Sequence, residues 1–281
     1  MATRSAPSGA ISLVIADVDG TLVTEQKELT PRARAAVMRL RRAGVELAIT
    51  SGRPPRGMAM LVEPLSLTAP IAGFNGGLFV EPDMRTLSTR LLEADVARQA
   101  VELLGARGLD AWVYSGNDWL VRNREAPHVA REEWTVKFPP KVVADFGEAL
   151  AGAVKIVGVS DDRDRVAAVE REMQHAVEGR ASAVRSQPYY LDITHPLANK
   201  GEVVRTLARL CGVPAREIAT IGDMPNDVLM FRESGLSIAM GNARPEVQEE
   251  AHFVSADYNH EGFTEAMERF VLPRARGGAP P

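Results

Sequence analysis

"ISLVIADVDGTL", Ile11 to Leu22, runs from an apolar segment into two carboxylates one residue apart, Asp17 and Asp19, and then into Gly20. ISLVIA is a short continuous apolar run, the kind that fills a strand buried on both faces of a parallel sheet. Working outward, Thr30 and Pro31 supply an N-cap and a first-turn proline for a helix whose apolar stripe includes Ala33, Val37 and Leu40 and which Gly44 ends. VELAIT (45–50) is the next strand, SGR follows it, a helix is expected over about 55–63, and IAGF (71–74) is a third strand. Strands alternating with helices in this way specify an α/β fold, a Rossmann-like parallel sheet with helices on both faces.

After about residue 83 the rhythm changes. LDAWVYSG and DWLVRN (109–123) read as paired strands around Gly116 and Asn117, flanked by helical stretches near 93–107 and 126–136. KIVGVS (155–160), a helix over about 162–177, ASAVRSQ (181–187) and YYLDIT (189–194) extend this α+β pattern. The first rhythm then returns: a helix from Lys200, the strand IATIGD (218–223), a helix over about 225–234, and the strands LSIAMG (236–241) and FVSA (253–256). The expected organisation is an α/β catalytic core of residues 11–83 and 193–272, an inserted α+β cap domain over 84–192, and flexible tails at 1–10 and 273–281. Open α/β sheets bind ligands at the carboxyl ends of their strands. An insert there is expected to act as a movable cover.

Composition narrows the partners. The 281 residues carry a net charge of −4 with acids and bases interspersed, so no polyanion-binding face is expected and nucleic acid is not the anticipated partner. Cys211 is the only cysteine, which excludes an intramolecular disulfide and any multi-cysteine metal site; Leu207 and Leu210 beside it suggest helix packing. The apolar run Ile11–Ala16 is too short for a signal-peptide core or a membrane span, so a cytoplasmic protein without a membrane partner is expected.

The chemistry gathers at one edge of the sheet. Asp17 ends the first strand, Ser51 follows the second, Asp223 ends IATIGD, and Lys200 opens a helix that could bring its ammonium there. Asn226 and Asp227 follow Asp223 within one turn. Asp17 and Asp223 offer hard oxygen ligands for Mg²⁺, which takes one or two carboxylates and keeps water and substrate phosphate as its other ligands. A carboxylate in line with phosphorus can attack it and form an aspartyl-phosphate. The transition state then needs positioning and charge neutralisation, which Lys200, the metal and the Ser51 hydroxyl can supply. Asp19, beyond the strand at the Gly20 turn, can face the leaving oxygen as general acid and then general base; neighbouring carboxylates raise its pKa and a metal lowers it. A calcium loop of the helix–loop–helix type is the competing reading of D-x-D-G. It needs glycine sixth and glutamate twelfth, whereas Gly20 is fourth and Glu28 twelfth.

These residues resemble the haloacid dehalogenase superfamily of phosphotransferases: DVDGTL (17–22), TSGR (50–53), NKG (199–201) and GDMPND (222–227) match its four motifs in order. The resemblance implies Asp17 as nucleophile, Asp19 as acid/base, Ser51 and Lys200 as phosphate holders, and Mg²⁺ bound by Asp17, the Asp19 carbonyl and Asp223 with Asn226 and Asp227 in support. Asp17 and Ser51 lie 34 residues apart, whereas 149 separate Ser51 from Lys200. The insert therefore falls between motifs II and III, and with FNGG (74–77) this resembles the Cof-type members with a subclass IIB cap. Those are mostly phosphatases of sugar phosphates and other small metabolites, and the resemblance implies substrate contacts from Gly52, Arg53, Asn75 and Gly76. The segment HPLANKG (195–201) departs from the valine or isoleucine and serine that many Cof-type chains carry before the lysine.

The expected function is hydrolysis of a small phosphorylated metabolite. A phosphomutase or glycosyl-phosphoglycerate phosphatase is the alternative on the same scaffold, and a non-catalytic phosphometabolite sensor is the alternative from another class. Asp17, Asp19, Lys200 and Asp223 together argue against the sensor, since a pure binder needs no nucleophile. A P-type ion pump is excluded, because that class has Lys-Thr where Val18 and Asp19 stand. In the insert, Trp112, Trp119, Tyr189 and Tyr190 are either core or a stacking surface for a ligand.

Overall fold

The computed structural model describes residues 9–276. Its first strand, β1 (Leu13–Asp17), is buried along its whole length. Helix α1 (Pro31–Arg42) follows; the Thr30 hydroxyl accepts the Ala33 N–H at 3.0 Å, Pro31 takes the first turn, and Ala33, Ala36, Val37 and Leu40 form its buried stripe. After β2 (Glu46–Thr50) the helix expected over 55–63 is instead a 3₁₀ segment, Pro55–Leu61, with a single α-turn, α2 (Val62–Leu65). Pro54 and Pro55 remove two amide donors and Gly57 weakens helix propensity, so the tighter form wins. The chain continues through β3 (Ile71–Gly73), β4 (Leu78–Val80) and β5 (Thr86–Thr89).

The insert contributes α3 (Ala94–Ala106), β6 (Asp110–Ser115), β7 (Asp118–Val121), α4 (Val129–Val136), β8 (Lys141–Val142), β9 (Ala153–Val159), α5 (Arg163–Ala176), β10 (Ser182–Gln187) and β11 (Tyr190–Thr194). Helix α4 starts three residues later than expected because Pro127 disfavours helix before it and His128 takes φ +66°. The remaining elements are α6 (Lys200–Cys211), β12 (Ile218–Gly222), a 3₁₀ turn at Pro225–Asp227, α7 (Val228–Glu233), β13 (Leu236–Ala239) and β14 (Phe253–Val254).

The described chain divides into two compact units. One holds residues 9–52, 58–87 and 199–276, and the other holds 53–57 and 88–198. The first unit is built on an eight-stranded sheet of order β14-β13-β12-β1-β2-β3-β4-β5. Its strands from β14 to β3 run parallel, and β4 turns antiparallel to β3. Leu13 and Ile15 of β1 pack with Val203, Val204 and Leu207 of α6. At the end of α6 the Cys211 thiol is half-buried, and burial pushes its pKa up to about 11.

The second unit is a six-stranded sheet of order β10-β11-β9-β6-β7-β8, antiparallel except for the β7/β8 pair. Because side chains alternate along a strand, Val113, Ile156, Leu191 and Ile193 meet α3 and α5 while Trp112, Tyr114 and Tyr190 take the opposite face. There Trp112 packs edge-on to Trp119 and Tyr190 with ring centroids 5.3 and 5.2 Å apart, so these aromatics are core. Tyr189 stacks on His128 at 4.1 Å.

The segment expected as core from residue 193 differs in the structure: β11 pairs with β9 and β10, and the first unit resumes only at Asn199. The tail expected at 273–281 is anchored as far as it is described. The Ile11 amide donates to the Arg274 carbonyl at 2.8 Å, Ala275 bridges Ile11, and Arg276 pairs with Glu217 at 2.5 Å. The rest of the expected tails, residues 1–8 and 277–281, lies outside the described residues. Among the described residues no helix is long and apolar enough to cross a membrane.

Candidate active site

Since β1, β2 and β12 are parallel neighbours, Asp17, Ser51 and Asp223 leave the sheet at one edge. Two glycines let their loops close on each other. Gly20 has φ +78°, and a Cβ there would lie 2.5 Å from Asp223 Oδ2; a Cβ at Gly222 would lie 2.3 Å from the Asp227 carboxyl carbon. Any larger residue would push a carboxylate out of place.

Lys200 reaches this edge through the cap of α6. The Asn199 side chain accepts the Glu202 N–H at 3.0 Å and starts the helix, which leaves Lys200 as its first residue. A cation at a helix N-terminus opposes the helix dipole, and burying it costs more still. Two carboxylates offset this: Lys200 Nζ donates to Asp17 Oδ1 at 2.6 Å and to Asp227 Oδ1 at 2.5 Å. The other Asp227 oxygen accepts the backbone N–H groups of Asp223 and Met224 at 3.0 and 2.9 Å. Asp227 thus brackets the lysine to the turn that carries Asp223.

The charge balance at the site is acidic. Asp17, Asp223 and Asp227 each place an oxygen within 4.8 Å of the others, against the one ammonium. Burial holds the Asp17 carboxyl well above the usual range; Lys200 opposes this, and Asp227 and Asp223 add to it. Burial and then Asp227 push Asp223 up to about 7. For Lys200, burial works to lower the pKa, but Asp17 and Asp227 outweigh it and hold the ammonium above its ordinary value. Buried carboxylates that resist ionisation beside one another, with hard oxygen donors on three sides, form a donor set that suits a divalent cation such as Mg²⁺.

The other expected residues distribute as follows. Asp19 is outside the carboxylate trio: Lys27 Nζ holds its Oδ1 at 2.6 Å, and the buried Ser51 hydroxyl is 3.5 Å from its Oδ2. Phe74, Asn75 and Gly76 are successive left-handed residues with φ of 52°, 55° and 96°. This turn brings the Asn75 side chain beside Gly52 and its Oδ1 to 3.5 Å from the Asn226 amide nitrogen. Arg53 belongs to the second unit, where it is buried and its charge acts on Glu132.

Three residues were not anticipated from sequence: Lys27, Thr21, whose hydroxyl is 3.5 Å from Asp223 Oδ1, and Asn242. Asn242 follows β13, another parallel strand, so the strand-exit rule that singled out Asp17 and Asp223 applies to it as well.

Known proteins share the fold and much of the chain's length. A haloacid dehalogenase-like hydrolase from Bacteroides thetaiotaomicron shares the fold with a TM-score of 0.86 at 27% identity, covering 92% of this chain and 99% of its own. A subclass IIB sugar phosphatase of the same superfamily matches in fold with a TM-score of 0.78 at 19% identity, covering 92% of this chain and 98% of its own. The pyridoxal phosphate phosphatase YbhA of Escherichia coli is 26% identical over 92% of this chain and 97% of its own length. The family model described as haloacid dehalogenase-like hydrolase matches residues 14–267. With its motif residues on the exits of a parallel sheet and that model spanning nearly all of the described chain, the protein belongs to the haloacid dehalogenase-like hydrolases.

Proposed function

We propose that the protein is a Mg²⁺-dependent phosphatase of small phosphorylated metabolites, with sugar phosphates the leading class, and that it works through an aspartyl-phosphate on Asp17. The observation that carries this reading is the buried pairing of Lys200 with Asp17 and Asp227 beside Asp223. It combines a nucleophile, a fixed cation and a set of metal-binding oxygens. Asp17 and Asp223, with Asp227 in support, would hold the metal, which when bound would supply charge neutralisation for the phosphoryl oxygens.

A carboxylate oxygen of Asp17 attacks phosphorus, a new O–P bond forms, and the ester P–O bond breaks. Lys200 orients Asp17 and offsets the charge gathering on the transferred group. Asp19 donates its proton to the departing alkoxide; it then takes one from the water that attacks the aspartyl-phosphate, releasing inorganic phosphate and restoring Asp17. The Ser51 hydroxyl, at the exit of β2, can donate to a phosphoryl oxygen. Gly52 and Asn75, with Gly76 beside them, flank the same edge, where a substrate would be contacted.

The test is phosphate release from a panel of sugar phosphates, pyridoxal phosphate and flavin mononucleotide, with and without Mg²⁺, for wild type and Asp17→Asn. Release that requires both the metal and Asp17, with a phosphorylated wild-type intermediate trapped by acid quench, is expected. Metal-independent release, or full activity in Asp17→Asn, would refute the mechanism.

A further inference from the structure

We propose that Asn242 is a positioning residue for the metal site, fixing the Asp223 carboxylate against the loop that follows Asp17. Asn242 Nδ2 donates to the Gly20 carbonyl at 3.0 Å and to Asp223 Oδ2 at 3.1 Å, and its Oδ1 accepts the Tyr258 N–H at 3.2 Å. These three partners assign the amide orientation by chemistry alone. A carbonyl and a carboxylate oxygen can only accept, and a backbone N–H can only donate, so the flipped amide would lose all three bonds.

One side chain therefore joins the exits of three strands: β1 through Gly20, β12 through Asp223, and β13, which Asn242 itself follows. Its contact with the Asp223 carboxylate is closer than that of the Thr21 hydroxyl, which stands at 3.5 Å. The Gly20 contact matters for the same reason, because the tight turn at Gly20 brings the main chain up to Asp223 and the amide bridges the two.

The loop that carries Asn242 is itself held. Gln248 Nε2 donates to the Gly241 and Ala243 carbonyls at 3.2 and 2.9 Å, and Gly241 donates its N–H to the Ala256 carbonyl at 3.0 Å. A Cβ at Gly241 would lie 2.8 Å from the Asp257 nitrogen, so the close approach needs glycine. Asn242 is thus preorganised on a clamped loop, as a residue that orients a metal ligand must be.

The inference rests on the Mg²⁺ reading of the site and is tested apart from turnover. Full-length wild type and Asn242→Ala, each with Asp17 intact, are titrated with MgCl₂ by calorimetry and by the Mg²⁺-induced rise in Tm. Loss of an outer-shell partner of this type weakens metal binding about 10- to 100-fold. Asn242→Ala should show that loss, and its kcat at saturating Mg²⁺ should recover to within a few fold of wild type while the Mg²⁺ concentration for half-activity rises. Equal Mg²⁺ affinity in the two proteins would overturn the proposal. A wild type that binds no Mg²⁺ would instead overturn the metal reading beneath it. If Asn242→Ala does not fold, Gln248→Ala carries the test, since it removes the bonds that hold the loop and replaces no side chain that contacts Asp223. Weaker Mg²⁺ binding there supports the proposal, and unchanged binding overturns it.

Discussion

Replacing Lys200 with methionine keeps the length of the side chain and removes its charge. In the native protein the ammonium is shared by Asp17 and Asp227, and none of the three side chains is more than 7% exposed. Removing one partner of a buried ion pair costs about 3–5 kcal/mol, because the charge left behind has neither water nor a counter-ion. Two carboxylates are left here, but Asp227 retains two backbone N–H donors, so the burden falls on Asp17. It can shed that burden by binding a proton. A carboxyl whose folded-state pKa lies above its unfolded value favours folding when protonated, so the variant loses stability as pH rises from the unfolded value of 3.8 toward the raised folded one. The deficit is therefore largest in mildly alkaline, metal-free buffer and shrinks toward pH 5. At about 2–4 °C per kcal/mol for a domain of this size, the melting point should fall by about 10 °C at pH 8 with EDTA. Mg²⁺ should restore part of the loss by returning a cation to the carboxylates. Activity should remain about 10²–10³-fold down, the usual effect of removing one donor from the transferred group. Calorimetric melts at pH 5 and 8, with and without Mg²⁺, decide the matter. A Lys200→Met protein that melts within a degree of wild type at pH 8 without metal, or whose deficit ignores pH, would refute the reasoning.

The wild type should carry a milder form of the same dependence. Asp223 is raised to about 7 from 3.8, so metal-free protein should lose up to about 4 kcal/mol as pH climbs through that window, with Asp17 adding in the same direction. Chelated melts across pH 4–8 would show this, and Asp223→Asn should flatten the curve. Gly20→Ala places a methyl 2.5 Å from Asp223 Oδ2 on a left-handed residue. It should cost about 1–3 kcal/mol and weaken Mg²⁺ binding, measured by melting and by titration. Asp19→Asn should lower kcat by about 10²–10⁴-fold for alkyl phosphates and much less for p-nitrophenyl phosphate, whose leaving group needs no proton. Equal losses on both substrates would remove Asp19 from the acid role.

Much of the fold could be read from the chain because its signals are local and redundant. The alternation of apolar runs with capped helices specified the parallel core, and the Thr30–Pro31 cap formed as expected. Over 55–63 proline and glycine replaced the expected helix with a 3₁₀ segment, and at α4 Pro127 and the left-handed His128 delayed only the start. The boundary near residue 193 was misplaced because YYLDIT has the composition of a core strand, and only its pairing with β9 assigns it to the insert. At the site, Asp17, Asp223, Asp227 and Lys200 could be anticipated from strand exits and a helix start. The strand-exit rule extends to Asn242 as a position, but its bridge to Gly20 and Asp223 and the Asp19–Lys27 pair could not be anticipated, since both depend on where loops return after leaving the sheet. The contact of Asn226 Nδ2 with Asn75 Oδ1 at 3.5 Å is likewise set by a returning loop.

The membership of residues 53–57 in the second unit has a practical and an evolutionary reach. Within that unit Gly57 lies so close to α4 that a Cβ would sit 3.2 Å from the Val136 carbonyl oxygen, and Arg56 stacks over the Phe138 ring at 4.5 Å. A chimera that exchanges only residues 88–198 with a relative would separate these partners and set a foreign helix against an unmatched glycine. Recombination between lineages should therefore succeed when the pentapeptide travels with the larger segment. The heritable module is then two stretches of sequence, one of them immediately after Thr50, Ser51 and Gly52, and substitutions in the short stretch should track those in the long one.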